Sequence, residues 1–506
     1  MESIKKNITV SLGKIPMYKL VVAALVVMLA AGLGLSATGQ TSFTPIQLLL
    51  SLLIICGVSY GSNRLFSWLY KARTNTESSL ITALILCAII TPPDSVSGAL
   101  IVALIALVAQ ASKYVVAYKQ RHIFNPAAFG ALVVGLCGLG QASWWIGSSA
   151  LLPLVAVIGF VILLRVRRLQ MFIVFALVVM AELAFYAALD KRPIVDALIE
   201  AFTSWPLLFF GTIMLTEPFT SPSRKRYLYL FATIAGALFA ARFSFGPVYA
   251  SPALALIIAN LFAFAVNAHG SHTLILKTIK RYGSDCYELL FTPRRRFAYN
   301  AGQYMEWTLP HKHQDIKGTR RFFTIASAPS EATVAIGIRT GGKASSYKNA
   351  LLQLQPGDVV QASNLGGEFV LPSRTNKPIV MIAGGIGITP FRSMIQEAII
   401  AKQHYDITLI YLVAKADDVM YEDVFATAKK AGVKIVYVIT GKEAPAHWRG
   451  EHGRINTELL KKYATDPQQS LFYVSGPSGM VLYAKQLLMQ LQVRRKHIKT
   501  DYFSGY

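Results

Sequence analysis

Three stretches of the 506-residue sequence carry residue types that chemistry requires. The run Ala383-Gly384-Gly385-Ile386-Gly387-Ile388-Thr389-Pro390 directly follows an apolar strand pattern and opens a helix pattern. Glycines at such a junction let backbone amides approach a pyrophosphate at the positive end of the helix. A Gly-rich strand-to-helix turn also arises for purely structural reasons, so its weight depends on its companions. The other two stretches lie in strongly apolar sequence: one contains Arg121, His122 and Asn125-Pro126, and the other is Thr216-Glu217-Pro218 followed by Ser221-Pro222-Ser223-Arg224. Asn125-Pro126 fits a helix start, with Asn as the cap and Pro in the first turn. Glu217 fits a border residue. An acid and a Pro closing a short apolar run equally fit a broken helix whose free backbone groups face a polar ligand instead of lipid. Cys56, Cys87, Cys137 and Cys286 form no CxxC pair, which excludes a ferredoxin-type iron-sulfur domain, and no metal site is expected.

The elements that must hold these stretches divide the chain in two. With 54% hydrophobic and only 15% charged residues, and a mean hydropathy of +0.45, the composition is that of a membrane protein. Ten apolar runs precede residue 270, at about 18–37, 45–61, 79–92, 97–112, 125–140, 148–164, 171–189, 205–216, 227–243 and 248–266. The third, fifth and eighth are short enough to be tilted, broken or re-entrant. Basic residues gather in alternate connections, as in Arg64, Lys71 and Arg73, then Lys113, Lys119 and Arg121, then Arg165, Arg167 and Arg168, then Arg224, Lys225 and Arg226. The positive-inside rule then puts both termini and the second half on the cytoplasmic side of a plasma or inner membrane. A membrane face accounts for the net charge of +24, so no nucleic-acid partner is expected. The basic N-terminus leads into a span with no evident cleavage site.

From about residue 270 the pattern changes. Short strand-like segments at 272–282, 286–293, 303–310, 320–327, 333–340 and 358–364 predict a small antiparallel barrel. From about 376, strand and helix alternate, which predicts a parallel doubly wound sheet with its ligand at the carboxyl ends of the strands. The expected organisation is a membrane domain of about ten helices over 1–268, an antiparallel β-barrel over 269–375 and an α/β nucleotide-binding domain over 376–506. Asp417 and Asp418 follow one of the strands, where negative charge disfavours a 2′-phosphate and mildly favours NADH over NADPH; a solvated acidic loop explains them equally well.

Residues 272–506 resemble the ferredoxin-NADP reductase superfamily. Arg321-Phe322-Phe323-Thr324 is similar to that family's R-x-Y-[ST] motif, which implies Arg321 on the FAD pyrophosphate, Phe323 against the flavin ring and the Thr324 hydroxyl near flavin N5. The chemistry suits each role: a guanidinium forks to phosphate, an aromatic face covers a flat ring, and a hydroxyl hydrogen-bonds N5. Phe323 stands where Tyr is usual. Gly342-Lys343-Ala344-Ser345 resembles the second FAD phosphate motif, implying Gly342 and Ser345, and Gly366 to Phe369 fits the turn before the nucleotide domain. Gly384, Gly385, Gly387, Thr389 and Pro390 fall on the pyridine-nucleotide motif. Ser475-Gly476-Pro477 falls on the C-G-P motif near the nicotinamide, with Ser in place of Cys, and Asp501-Tyr502-Phe503 resembles the family's ending. The resemblance implies Thr324, Ser475 and Asp501 at the reacting centre.

Residues 20–268 resemble the B subunit of sodium-translocating NADH:quinone reductase and the D subunit of the Rnf complex, through "FNPAAFG" after a basic loop, the earlier "TPP" break and the later "MLTEP". That implies a membrane module passing electrons through a bound flavin, FMN or riboflavin, with Asn125 and Glu217 as candidate contacts. The S-G-A-T motif that carries FMN in those subunits is matched only by Ser97-Gly98-Ala99-Leu100, without the acceptor Thr, so the flavin is expected to be noncovalent. The leading reading is an FAD-dependent NAD(P)H oxidoreductase that passes electrons through the lipid bilayer to quinone or to an extracytosolic flavin-bearing protein. A haem-containing transmembrane reductase is disfavoured because His122 is the one His between residues 18 and 266. A transporter gated by a nucleotide-sensing domain is the third reading, with Glu182, Glu217 and Asp94 as its few candidate acids.

Overall fold

The computed structural model describes residues 17–70, 76–118, 121–140, 142–222, 224–266, 271–312, 315, 318–341, 344–441, 443–445, 448–464 and 466–503. The chain forms two compact units, Met1–His269 and Gly270–Tyr506.

All ten apolar runs are helical. In chain order the first unit contains α1 Met17–Ala37, α2 Pro45–Leu69, α3 Thr76–Ile89, α4 Val96–Val115, α5 Pro126–Leu136, α6 Leu152–Val166, α7 Leu169–Leu189, α8 Ile194–Thr203, α9 Leu207–Met214, α10 Lys225–Ala240 and α11 Pro252–Val266. Helix α8 lies where the sequence pattern predicts a connection. The expectation of about ten membrane helices needs correcting as a count of crossings: among the described residues, α1, α2, α4 and α7 are long and apolar enough to span a bilayer, and α8 with α9 makes a fifth only if that pair, bent by 63°, is one span. The reason is geometric. At about 1.5 Å per residue, a 14-residue helix such as α3 reaches ~21 Å, short of the ~30 Å hydrocarbon layer. Proline enforces the breaks, because Pro206 separates α8 from α9 and Pro92-Pro93 follow α3.

Packing in this unit repeats. Helix α4 packs on α2 and α5, and α10 packs on α7 and α11 in the same order. Thr91-Pro92-Pro93 after α3 is matched by Thr216-Glu217-Pro218 after α9, and the Asn125-Pro126-Ala127 that opens α5 by the Ser251-Pro252-Ala253 that opens α11. Small residues let the short helices approach. A Cβ on Gly130 of α5 would lie 2.7 Å from the Ile105 carbonyl oxygen of α4, and one on Gly159 of α6 would lie 2.4 Å from Thr212 Oγ1 of α9. The unit hides Phe175, Phe210 and Phe239 in mutual contact, yet leaves Leu53, Leu100, Leu177 and Phe185 largely exposed. Exposed apolar surface of this extent marks contact with a membrane or with another protein.

The second unit carries two six-stranded sheets. The first consists of β1 His272–Tyr282, β2 Cys286–Pro293, β3 Tyr304–Thr308, β4 Arg320–Thr324, β5 Val334–Arg339 and β6 Val359–Gly366, in the order β4-β3-β6-β1-β2-β5 with antiparallel pairing throughout. It is an open half-barrel. Where a closed barrel is expected, the edge strands β4 and β5 meet through the Ala326 N–H donating to the Ala335 carbonyl at 2.7 Å, without a ladder. The short helix α12 Ser346–Leu352 inserts Tyr347 into the core of this half-barrel.

The second sheet is parallel: β7 Ile379–Gly384, β8 Ile407–Val413, β9 Lys434–Ile439, β10 Glu451–His452, β11 Leu471–Pro477 and β12 Ile498–Phe503, in the order β10-β9-β8-β7-β11-β12. Helices α13 Thr389–Ile400, α14 Glu422–Lys430, α15 Thr457–Tyr463 and α16 Ser478–Gln490 connect the strands. Strands β7 and β8 are buried over their whole length, as in a sheet covered on both faces. The strand order reverses direction between β7 and β11. A ligand crevice is expected at the carboxyl ends of those two strands.

Candidate active site

The Gly-rich turn and the Ser475-Gly476-Pro477 segment lie side by side at that crevice. Gly385 has φ +52° and begins a tight turn over Gly385–Ile388 that delivers the chain into α13. A Cβ on Gly387 would fall 2.4 Å from the Ser475 carbonyl oxygen and 2.6 Å from the Gly476 Cα, and one on Gly384 would fall 2.5 Å from the Met480 side chain. The glycines therefore permit contact between two backbones, the role expected where a dinucleotide lies close to main chain. Thr389 is buried and its Oγ1 donates to the Ile386 carbonyl (3.1 Å), fixing the turn, and Pro390 occupies the first turn of α13. Ser475 is fully buried, and among the described residues its Oγ has no hydrogen-bond partner. A buried unpaired hydroxyl costs about 1–3 kcal/mol and needs a reason, and a ligand in the crevice supplies one. Asp501 of β12 is the register partner of Ser475, and Phe503, the last described residue, pairs with Pro477.

The second half of the site is built on β4. Strand alternation puts Arg321 and Phe323 on one face and Phe322 and Thr324 on the other. The Arg321 Nη2 sits 2.6 and 2.8 Å from the two Asp315 carboxylate oxygens, with the guanidinium carbon 4.9 Å from the centre of the Tyr347 ring. Phe323 tilts against the same ring at 6.0 Å. Ser345 caps α12 by accepting from the Lys348 N–H (3.3 Å), and so brings that ring into place. Arg321, Phe323 and Ser345 therefore converge on Tyr347. Thr324 is buried, and Phe322 is the exposed ring, edge-on to Tyr304 at 5.5 Å. Gly342 lies outside the described residues. Tyr347 and Asp315 were not singled out from sequence. The signal for Tyr347 was an aromatic residue two positions after the phosphate-motif serine.

One other expectation changes, and one cluster is new. Asp418, read with Asp417 either as negative charge against a 2′-phosphate or as part of a solvated acidic loop, is buried and held by Arg339 at 3.4 Å, leaving Asp417 as the exposed acid of that pair. Asp285, Cys286 and Asp418 offer ligand atoms within 4.8 Å of one another, but Arg339 already pairs with Asp285 at 3.3 Å as well, and burial pushes the Cys286 thiol up to about 12. A guanidinium holds this cluster together, and a protonated thiol is a poor metal ligand.

In the first unit, Asn125 and Glu217 do meet. The Asn125 Nδ2 donates to Glu217 at 2.9 Å, the Asn125 Oδ1 accepts from the Ala128 N–H, and the Asn125 N–H donates to Asn260 Oδ1 at 2.8 Å. His122 Nε2 lies 3.2 Å from the other Glu217 oxygen, and Thr220 Oγ1 donates to Glu217 at 3.2 Å. His122, Thr220 and Asn260 were not assigned as Glu217 partners from sequence: Asn260 is one polar residue in an apolar run, and His122 and Thr220 lie in polar connections 95 and 3 positions from Glu217 that only the fold brings onto its carboxylate.

Comparison with known proteins agrees with the second unit. Residues 381–486 match the family model described as oxidoreductase NAD-binding domain. The chain is 27% identical over 217 residues to ferredoxin–NADP reductase B of Sorangium cellulosum, covering 41% of this chain and 86% of that protein. It is 32% identical over 221 residues to the flavohemoprotein of Candida albicans, covering 40% of this chain and 51% of that one, so it spans only about half the length of such relatives. Among solved structures, the flavohem-like FAD/NAD-binding domain of nitric oxide dioxygenase from Vibrio cholerae aligns with a TM-score of 0.42 at 18% identity, covering 46% of this chain and 99% of that one. The C-terminal half of the chain is accordingly an oxidoreductase module that binds FAD and NAD(P)H, similar over the aligned residues to ferredoxin–NADP reductase B and to flavohemoproteins.

Proposed function

We propose that this chain is a membrane-bound NAD(P)H dehydrogenase whose C-terminal module, on the cytoplasmic face, oxidises NAD(P)H and whose helical unit passes the electrons to quinone or to an extracytosolic flavin-bearing acceptor. FAD, when bound, supplies a ring that takes up two electrons and releases them singly. Arg321 is positioned to hold its phosphates, with Asp315 and the Tyr347 ring orienting the fork, and Phe323 and Thr324 line the same strand end. Ser345 lies beside them, with Gly342 as the second phosphate contact assigned from sequence. Gly384, Gly385, Gly387, Thr389 and Pro390 admit the nicotinamide dinucleotide, and Ser475, Gly476, Pro477, Asp501 and Phe503 border its reactive end. The unpaired Ser475 hydroxyl at the reversal of strand order is the observation that carries the nucleotide site.

The helical unit supports the membrane half of this reading. Its repeated short helices, broken at Thr-x-Pro, match an architecture in which polar ligands sit where discontinuous helices meet. Asn125 and Glu217 lie at such a meeting and are assigned to a noncovalent membrane flavin. Against the haem alternative, His122 is hydrogen-bonded to Glu217 and no second His lies in that unit's described helices to complete an axial pair.

The test uses full-length protein in proteoliposomes with outward-facing C-terminal modules. Added NADH or NADPH is expected to bleach bound flavin and reduce quinone in the bilayer or an impermeant acceptor enclosed in the lumen. Flavin that stays oxidised overturns the dehydrogenase reading, and bleaching without reduction of either acceptor overturns the transmembrane relay.

A further inference from the structure

The Gly-rich turn and the Arg321–Thr324 strand belong to different sheets, and their separation is fixed by an arrangement that neither motif contains. Arg392 lies three residues after Thr389 on α13. Its Nη1 donates to the Ala326 carbonyl, two residues beyond Thr324, at 3.2 Å, while the guanidinium forks onto both Glu331 oxygens, with Nη2 at 2.8 Å from one of them. The adjacent Ser393 Oγ donates to the Ser327 carbonyl at 2.6 Å. One turn further on, Glu397 accepts from the Ser330 N–H and hydroxyl at 3.0 and 2.8 Å. Gly337 of β5 admits the start of α13 so closely that a Cβ there would lie 2.6 Å from the Thr389 methyl. The guanidinium is roofed by Tyr421, whose ring centre is 5.7 Å away.

We propose that Arg392 and Glu331 form a positioning pair that sets the distance and angle between the Gly384–Pro390 turn and the Phe323-Thr324 strand end. The inference rests on the NAD(P)H-oxidising reading above. Arg392 is buried and Glu331 half-buried, and an ion pair drawn this far out of water is a poor source of stability, because desolvation offsets its Coulombic gain and apolar residues of similar volume serve as well. It is a good source of register, since a planar fork with fixed donors tolerates little rotation. Transfer of a hydride needs donor and acceptor within about 3–3.5 Å, and an error of ~1 Å costs about 100-fold. A strap anchored two residues from one motif and three from the other controls that distance.

The test compares full-length wild type with the double variant R392M/E331L, which removes both charges of the pair, and with R392K, which keeps charge but loses the fork. Bound FAD, melting temperature, nucleotide half-saturation and the limiting rate of flavin bleaching are measured, together with hydrogen–deuterium exchange over 325–327. In the double variant, FAD content and melting are expected to match wild type and half-saturation to stay within about two-fold. The limiting rate is expected to fall by about 10- to 100-fold and exchange at 325–327 to quicken; R392K is expected to fall between. A wild-type limiting rate or wild-type exchange in the double variant overturns the proposal, as does a rate loss that tracks lost FAD. If the wild type itself fails to bleach, the dehydrogenase reading falls, and the exchange measurement still decides whether the pair ties the two segments.

Discussion

Gly387 backs directly onto Gly476: a Cβ at position 387 would lie 2.6 Å from the Gly476 Cα, closer than real Cβ contacts occur. The neighbouring atom is main chain of β11, a strand paired on both sides, which cannot swing aside as a side chain does. G387A therefore forces the Gly-rich turn away from β11. Overpacking of this kind costs about 1–3 kcal/mol, and the displacement opens the crevice floor. The expected result is a lowered melting temperature together with nucleotide affinity weakened at least about ten-fold, read by titrating the full-length protein with NADH and NADPH. An unchanged affinity with normal folding places the dinucleotide elsewhere.

Ser475 makes the converse prediction. Its hydroxyl is buried with no partner among the described residues, so S475A removes an unsatisfied polar atom and is expected to leave the protein as stable or slightly more stable. If the hydroxyl serves the nicotinamide, the same substitution slows flavin bleaching several-fold. A paired measurement of melting temperature and bleaching rate checks this. Stability and rate falling together would mark Ser475 as ordinary core.

Arg321 tests the flavin half. Asp315 and Tyr347 hold its guanidinium as a fork over a ring, a geometry that a lysine ammonium does not reproduce. R321K is expected to retain the fold and lose FAD on dialysis, with affinity down at least about ten-fold, whereas F322A, on the opposite face of the strand, loses far less. Flavin content after extensive dialysis, compared between the two variants, decides the matter.

Glu288 predicts a pH dependence. Burial holds its carboxyl above the usual range, with Arg392 opposing that shift, and its partner is the Tyr282 hydroxyl at 3.3 Å. The folded state therefore keeps a proton that the unfolded chain releases at lower pH, so stability falls as pH rises from the ordinary carboxyl range through the raised value. E288Q removes the titration. Melting temperatures of wild type and E288Q are expected to converge near pH 4 and to diverge in favour of the variant as pH rises towards 7. Parallel curves would show that Glu288 does not titrate in that window.

What sequence reveals about this protein follows from the range of each interaction. The strand β1 over His272–Tyr282, the Gly-rich turn and the alternation after residue 376 were legible because period, glycine and proline act within a few residues. The helical character of all ten apolar runs was legible for the same reason. The shortness of the third, fifth and eighth runs was legible too, whereas the short lengths of Leu152–Val166 and Pro252–Val266, 15 residues each, were not, because they depend on what packs alongside. Tyr347 beneath Arg321, Arg339 between Asp285 and Asp418, and Arg392 on Glu331 join residues 26 to 133 positions apart, and no local pattern announces them. The open edge between β4 and β5 was likewise hidden, because six strand-like segments read the same whether or not the sheet closes.

Asn125 separates helix capping from electrostatics in the first unit. Its Oδ1 caps α5 and its Nδ2 donates a hydrogen bond to Glu217, so three substitutions remove different shares. N125S keeps a capping oxygen and loses the Glu217 contact. N125A loses both, at about 1 kcal/mol for the cap and about 1.5–3 kcal/mol for a hydrogen bond to a charged group. N125D keeps the cap but sets a second carboxylate against Glu217, where like charges with little water between them repel strongly. The expected order of destabilisation, from thermal melts of detergent-solubilised full-length protein, is N125S, then N125A, then N125D, with E217Q expected to rescue N125D in the double variant. If N125D proves the mildest of the three, capping dominates and Glu217 is not charged beside it; the junction of the broken helices is then held by neutral hydrogen bonds alone.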